Sequence, residues 1–127
     1  MAPEEQTGSR ILLIEDDYGN RVLFTDFLRY CGYTVLALED GHNVVDIVGS
    51  FGPQVILLDI KLPTMSGLSV IDMLKQHPEF GEIPILVISG YAFSTDRHKA
   101  MQLGASGYLV KPIQPEALQA AIEAVLS

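Results

Sequence analysis

Tryptophan is absent from the 127-residue chain, and cysteine occurs once, as Cys31. A single cysteine excludes an intramolecular disulfide and a cysteine-built zinc site, and it fits a reducing cytoplasm, the expected location. Cations are scarce: eight Lys and Arg stand against sixteen Asp and Glu, a formal net charge of −8. Duplex DNA, itself a dense polyanion, repels a surface of that sign, so no nucleic acid is expected as a partner. No apolar run reaches the length that spans a bilayer, and the polar first ten residues lack the apolar segment of a signal peptide, so no membrane association is expected. Residues 1–9 read as a flexible leader. Residues 10–127 read as one domain, long enough to bury a core.

What the chain does have is short apolar runs, within a composition that is 48% hydrophobic. Residues 11–14, 34–38, 55–58 and 85–88 are almost continuously apolar and rich in Val, Ile and Leu, as buried parallel strands require; residues 107–110 are a weaker fifth. Helix-period segments alternate with them. Leu118, Ala121, Ile122, Val125 and Leu126 form an apolar stripe on a last helix that Pro115 can open. Gly67, Val70, Ile71 and Leu74 repeat the pattern behind Ser66, a candidate N-cap, with Pro78 just beyond the end. Leu23, Phe24, Phe27 and Leu28 make a third face, which Gly32 is placed to terminate. Val44, Val45, Ile47 and Val48 mark a fourth helix, and residues 95–103, ending at Gly104, a fifth. Strand followed by helix, five times over, predicts a doubly wound α/β sandwich, (βα)5, around a five-stranded parallel sheet.

In such sheets ligands bind outside the carboxyl ends of the strands. Glu15, Asp16 and Asp17 follow the first run, Glu39 and Asp40 the second, Asp59 the third, Ser89 the fourth, and Lys111 with Pro112 the fifth. Carboxylates crowded into one place raise one another's pKa, and a hard divalent cation with oxygen ligands removes the conflict; Mg²⁺ suits two or three carboxylates and a phosphate. Each residue also has a plainer structural role open to it. The triplet 15–17 could cap the first helix. Ser89 could be structural, Tyr108 half-buried core and Lys111 a solvated charge. A carboxylate on Asp59, straight after an apolar strand, costs stability unless something pairs with it. His42, His77 and His98 show no metal-binding spacing and read as surface residues.

Together these positions resemble the CheY-like receiver domains of bacterial response regulators over residues 10–126. Glu15 and Asp16 are similar to that family's acidic pair. Asp59, followed by Ile-Lys-Leu-Pro-Thr-Met-Ser-Gly, matches its phosphoacceptor and the loop behind it. Ser89 matches the switch hydroxyl, Tyr108 the switch aromatic, and Lys111-Pro112 the Lys-Pro pair. The separations 59→89, 89→108 and 108→111 are 30, 19 and 3 residues, in the family's order. Glu15 stands where many relatives have Asp and should reach the metal through water. Lys61 and Tyr91 hold positions that, in that family, tune phosphoryl lifetime.

The resemblance implies the flavodoxin-like strand order 2-1-3-4-5. It implies phosphoryl transfer from a sensor histidine kinase or histidine phosphotransfer protein to Asp59. Mg²⁺, for which Mn²⁺ can substitute, would be held by Glu15, Asp16, Asp59 and the Lys61 backbone carbonyl. Lys111 would meet the phosphoryl oxygens, Ser89 and Tyr108 would relay the change, and residues 95–126 would present it to a downstream protein. A cis peptide bond at Pro112 is implied as well. The chain would be no enzyme beyond its own phosphorylation and dephosphorylation. A haloacid-dehalogenase-type phosphatase would want a second acid two residues after Asp59, where Lys61 stands. A phosphorylation-independent interaction module would keep the fold and lose acids or the lysine.

Overall fold

A computed structural model describes residues 8–90 and 94–126. Strands and helices alternate as β1 (Arg10–Ile14), α1 (Tyr18–Tyr30), β2 (Thr34–Leu38), α2 (Val44–Phe51), β3 (Val55–Asp59), α3 (Gly67–Lys75), β4 (Ile85–Ser89), α4 (Ser94–Gln102), β5 (Gly107–Val110) and α5 (Pro115–Leu126). The sheet is parallel throughout, in the order β2-β1-β3-β4-β5. Two of the residues read as leader, Gly8 and Ser9, already make backbone hydrogen bonds with Gly32 and Thr34.

The runs in β1, β3 and β4 became strands with both faces covered, whereas residues 34–38, also read as a buried strand, form the edge strand β2 and bury only Val35. Ile11 to Ile14, Val55 to Leu58 and most of β4 are essentially inaccessible, and alternate residues feed two separate cores. On one face Leu12, Ile14, Ile56, Leu58 and Val87 meet Val44 and Val48 of α2, Val70, Ile71 and Leu74 of α3, and Ala100 of α4. On the other, Ile11, Leu13, Val55, Leu57 and Ile88 meet Phe24 and Leu28 of α1 and Leu118 and Ile122 of α5. The first-helix face is narrower than its sequence suggests. Leu23 is 52% exposed, because a helix lying on a sheet buries one stripe and Leu23 falls outside it.

The ends obey local chemistry. The Ser66 side chain accepts from the Leu68 N–H as the N-cap of α3, Pro115 is the first residue of α5, and Gly32 and Gly104 take positive φ after α1 and α4. Among the residues of α4 whose burial is described, only Ala100 is buried, and the helix limits, Ser94–Gln102, sit one residue earlier than the span read from sequence. Of the histidines, His42 and His98 are exposed. His77 is half-buried, stacks on Phe80 with ring centroids 4.2 Å apart, and accepts the Glu79 N–H on Nδ1. Among the described residues, no helix is long and apolar enough to cross a membrane.

Candidate functional site

Register places the acids side by side. Ile14 pairs with Leu58, so the next residue on each strand, Glu15 and Asp59, emerges at the same level of the carboxyl edge. One oxygen each from Glu15, Asp16 and Asp59 can be chosen so that all lie within 4.8 Å of one another. Glu15 and Asp59 are buried while Asp16 is exposed. Asp17 has a different job. It is the N-cap of α1, accepting the Asn20 N–H on Oδ2 at 2.8 Å. The acidic triplet therefore divides between two of the roles open to it: two residues face the strand ends, and one closes the helix.

Lys111 arrives from the far side of the sheet. Its backbone N–H donates to Ser89 O at 2.7 Å, continuing the pairing of Ser89 with Val110, and the Lys111–Pro112 peptide bond is cis. The ammonium then reaches across the end of β4, donating to Asp59 Oδ2 at 3.0 Å and lying 2.7 Å from Glu15 Oε1. Apart from that ammonium, no donor among the described residues reaches Glu15 Oε1; Oε2 accepts the Asp17 N–H at 3.1 Å. Burial works against the Lys111 charge, but the hydrogen bonds to Glu15 and Asp59 outweigh it and hold the pKa above its ordinary value. Glu15 shifts the opposite way for a carboxylate. Burial first, and the adjoining Asp59 second, push it up to about 7 despite Lys111.

The loop after β3 is fixed by close backbone contact. Gly67 N–H donates to Ile60 O at 2.7 Å, and a Cβ on Gly67 would sit 2.5 Å from Asp59 O and 2.7 Å from Ile60 Cα. Only glycine allows that approach. The loop thereby turns the Lys61 N–H onto Asp59 Oδ1 at 3.0 Å, leaving the lysine side chain exposed. Ser89 is fully buried at the end of β4, and Tyr108 is half-buried on the face that also carries Val87, covered by α2, α3 and α4. Tyr91 lies outside the described residues.

Two contributors escaped the sequence reading. The Thr64 hydroxyl donates to Asp40 Oδ2, tying the end of β2 to the loop after β3; Thr64 holds the Asp40 carboxyl below its ordinary range. Arg21 donates from Nη1 to the carbonyls of Glu15 and Asp16. A loop hydroxyl and a helical arginine have no spacing rule that marks them, although a cation early in a helix is itself a signal.

The donor set consists of carboxylate oxygens, with a buried Glu15 oxygen that, among the described residues, only the ammonium reaches. That chemistry fits a hard divalent cation.

The chain belongs to the response regulator receiver domain family, whose family model matches residues 11–123. It is similar to the polar-differentiation response regulator DivK of Brucella anthropi, with 33% identity over 103 residues, which cover 81% of this chain and 84% of that protein. Among solved structures, the chemotaxis protein CheY4 of Vibrio cholerae aligns at a TM-score of 0.88 and 25% identity, over 94% of this chain and 100% of that one. The receiver domain of a sensor histidine kinase from Pseudomonas aeruginosa aligns at a TM-score of 0.86 and 29% identity, over 94% of this chain and 98% of that one. It has a magnesium ion coordinated in its active site cleft.

Proposed function

We propose that this receiver domain is a phosphorylation switch in which Asp59 takes a phosphoryl group from a phosphohistidine on a sensor histidine kinase or a histidine phosphotransfer protein. The observation that carries the reading is the convergence of Glu15, Asp16, Asp59 and Lys111 from three strand ends, with the Lys111 ammonium 3.0 Å from Asp59 Oδ2.

In the transfer, an Asp59 oxygen forms the new bond to phosphorus while the phosphorus–nitrogen bond to the histidine breaks, and the imidazole leaves with the bonding pair. The Lys61 N–H and the Lys111 ammonium already donate to the two Asp59 oxygens and orient the nucleophile. Glu15, Asp16, Asp59 and the Lys61 carbonyl would hold Mg²⁺, or Mn²⁺ in its place, which when bound supplies positive charge for the transferring phosphoryl oxygens. Lys111 is a mobile point cation and follows the phosphoryl oxygens once they appear. Ser89 and Tyr108 relay the added charge of roughly −1.5 to −2 to the surface built by residues 95–126, where a downstream protein docks. The reaction is confined to the chain's own phosphorylation and dephosphorylation. The lone buried cysteine and the acidic surface support a cytoplasmic protein that acts on proteins and not on nucleic acid.

Incubation with acetyl phosphate or phosphoramidate and Mg²⁺ tests this. One phosphoryl group should appear by intact mass, and Asp59→Asn should abolish it. Labelling of Asp59→Asn at similar yield removes Asp59 from the role, and no labelling of the wild type favours the interaction-module alternative.

A further inference from the structure

A cation in the opening turn of a helix meets the partial positive charge of the free N–H groups, so the position disfavours it. Arg21, the fourth residue of α1, occupies that turn all the same. Its guanidinium does not run out into water. Nη1 folds back over the helix start and donates to Glu15 O at 2.9 Å and Asp16 O at 3.2 Å, while the guanidinium carbon lies 5.6 Å from the centre of the Tyr18 ring. One nitrogen thus bridges the carbonyls of the two acids whose side chains face Asp59. In the same turn the Asp17 N–H donates to Glu15 Oε2 and the Asp17 side chain caps α1. The backbone that aims Glu15 and Asp16 is held from the helix on one side and from β1 on the other.

We propose that Arg21 is a positioning residue for the acidic pair: through the two carbonyls it fixes the peptide that directs the Glu15 and Asp16 carboxylates at Asp59. The inference rests on reading those acids as a divalent-cation site. Charge and position predict opposite signs for its removal. Arg21 is a cation bound to the backbone of two of the proposed ligands, so if charge were its whole effect, deleting it would tighten Mg²⁺ binding. If it positions the ligands, deletion weakens binding, and groups that orient metal ligands from behind typically account for about 10–100-fold in affinity.

The test is calorimetric titration of Mg²⁺ alone into the full chain at fixed pH and ionic strength. The proteins are wild type, Arg21→Ala, Arg21→Lys, Arg29→Ala and Asp16→Ala. Arg29 is the control, because it lies on the same helix and donates to a carbonyl, Val35 O at 3.0 Å, on the edge strand. Arg21→Ala should weaken Mg²⁺ binding about tenfold and speed amide hydrogen exchange at residues 15–17 in chelator. Arg21→Lys should recover part of the affinity, and Arg29→Ala should lower the melting temperature without moving it. Equal or tighter binding by Arg21→Ala, with Asp16→Ala weakened, overturns the proposal and leaves the acid site standing. If Asp16→Ala also binds as wild type does, the acid site falls and the proposal with it. Should Arg21→Ala not fold, Arg21→Lys decides: affinity and exchange equal to wild type overturn the proposal, and a several-fold loss supports it.

Discussion

Removing the Glu15 charge is expected to stabilise the metal-free protein. The carboxyl is fully buried and is pushed up to about 7 from an ordinary 4.5, by burial first and by Asp59 second. In the unfolded chain it ionises near 4.5, so between pH 4.5 and 7 the folded protein retains a proton that the unfolded chain has lost. Stability therefore falls as pH rises through that window and levels off above it. The span from 4.5 to about 7, at about 1.4 kcal/mol for each tenfold in proton affinity, sets a ceiling of about 3 kcal/mol. Glu15→Gln keeps the shape of the protonated acid, and Lys111 keeps Asp59 as a partner. In chelator at pH 8 the variant should unfold at a higher temperature than wild type, by up to about 10 °C. The two should converge near pH 4, and comparing them cancels the titration of carboxylates that do not interact with Glu15. Circular dichroism melts from pH 4 to 8.5 read the difference directly. Saturating Mg²⁺ should narrow or reverse the gap at pH 8, because the wild type binds it more tightly and binding stabilises the folded form. A gap that is absent at pH 8, or that does not change with pH, refutes the reasoning.

Three further outcomes follow from single contacts. Gly67→Ala pushes its methyl against the Asp59 carbonyl and Ile60 Cα; it should lower stability by about 1–3 kcal/mol and slow labelling of Asp59 by acetyl phosphate, whereas an unaltered rate would detach the loop from the site. Asp17→Ala should lose about 1 kcal/mol in denaturant unfolding, the usual worth of an N-cap, with a smaller loss of Mg²⁺ affinity than Asp16→Ala; an equal loss would count against its being only a cap. At its net charge of −8 the chain should give no gel shift with duplex DNA at physiological salt, phosphorylated or not, and a salt-sensitive shift at low-micromolar protein would contradict that.

Much of this was legible because the informative residues are constrained by backbone position. Strands buried on both faces must be apolar along their whole length, so residues 11–14, 55–58 and 85–88 announced themselves, and the residues just past their ends marked the site. Strand β5 is only half-buried and its run was correspondingly weak. Leu23 misled because an apolar residue beside a buried stripe looks like part of it. The resemblance took Glu15 and Asp16 as the acidic pair and left Asp17 out; residue chemistry alone could not make that division, since all three can serve at a strand end or as a helix cap and only register separates them. Arg21 and Thr64 were missed for a related reason: one binds backbone carbonyls, which leave no trace in side-chain pattern, and the other meets Asp40 across a loop.

The path of Lys111 has a mechanical consequence. Its side chain leaves the edge strand β5, passes the end of β4, and grips residues on β3 and β1. One ammonium is thus a guy rope from the rim of the sheet to its middle. The middle strands β1, β3 and β4 are packed on both faces, while β5 is half-buried and has a strand on one side only. A new anion at the strand ends would draw the rope elsewhere, and the end expected to give is β5, which has a strand on one side only.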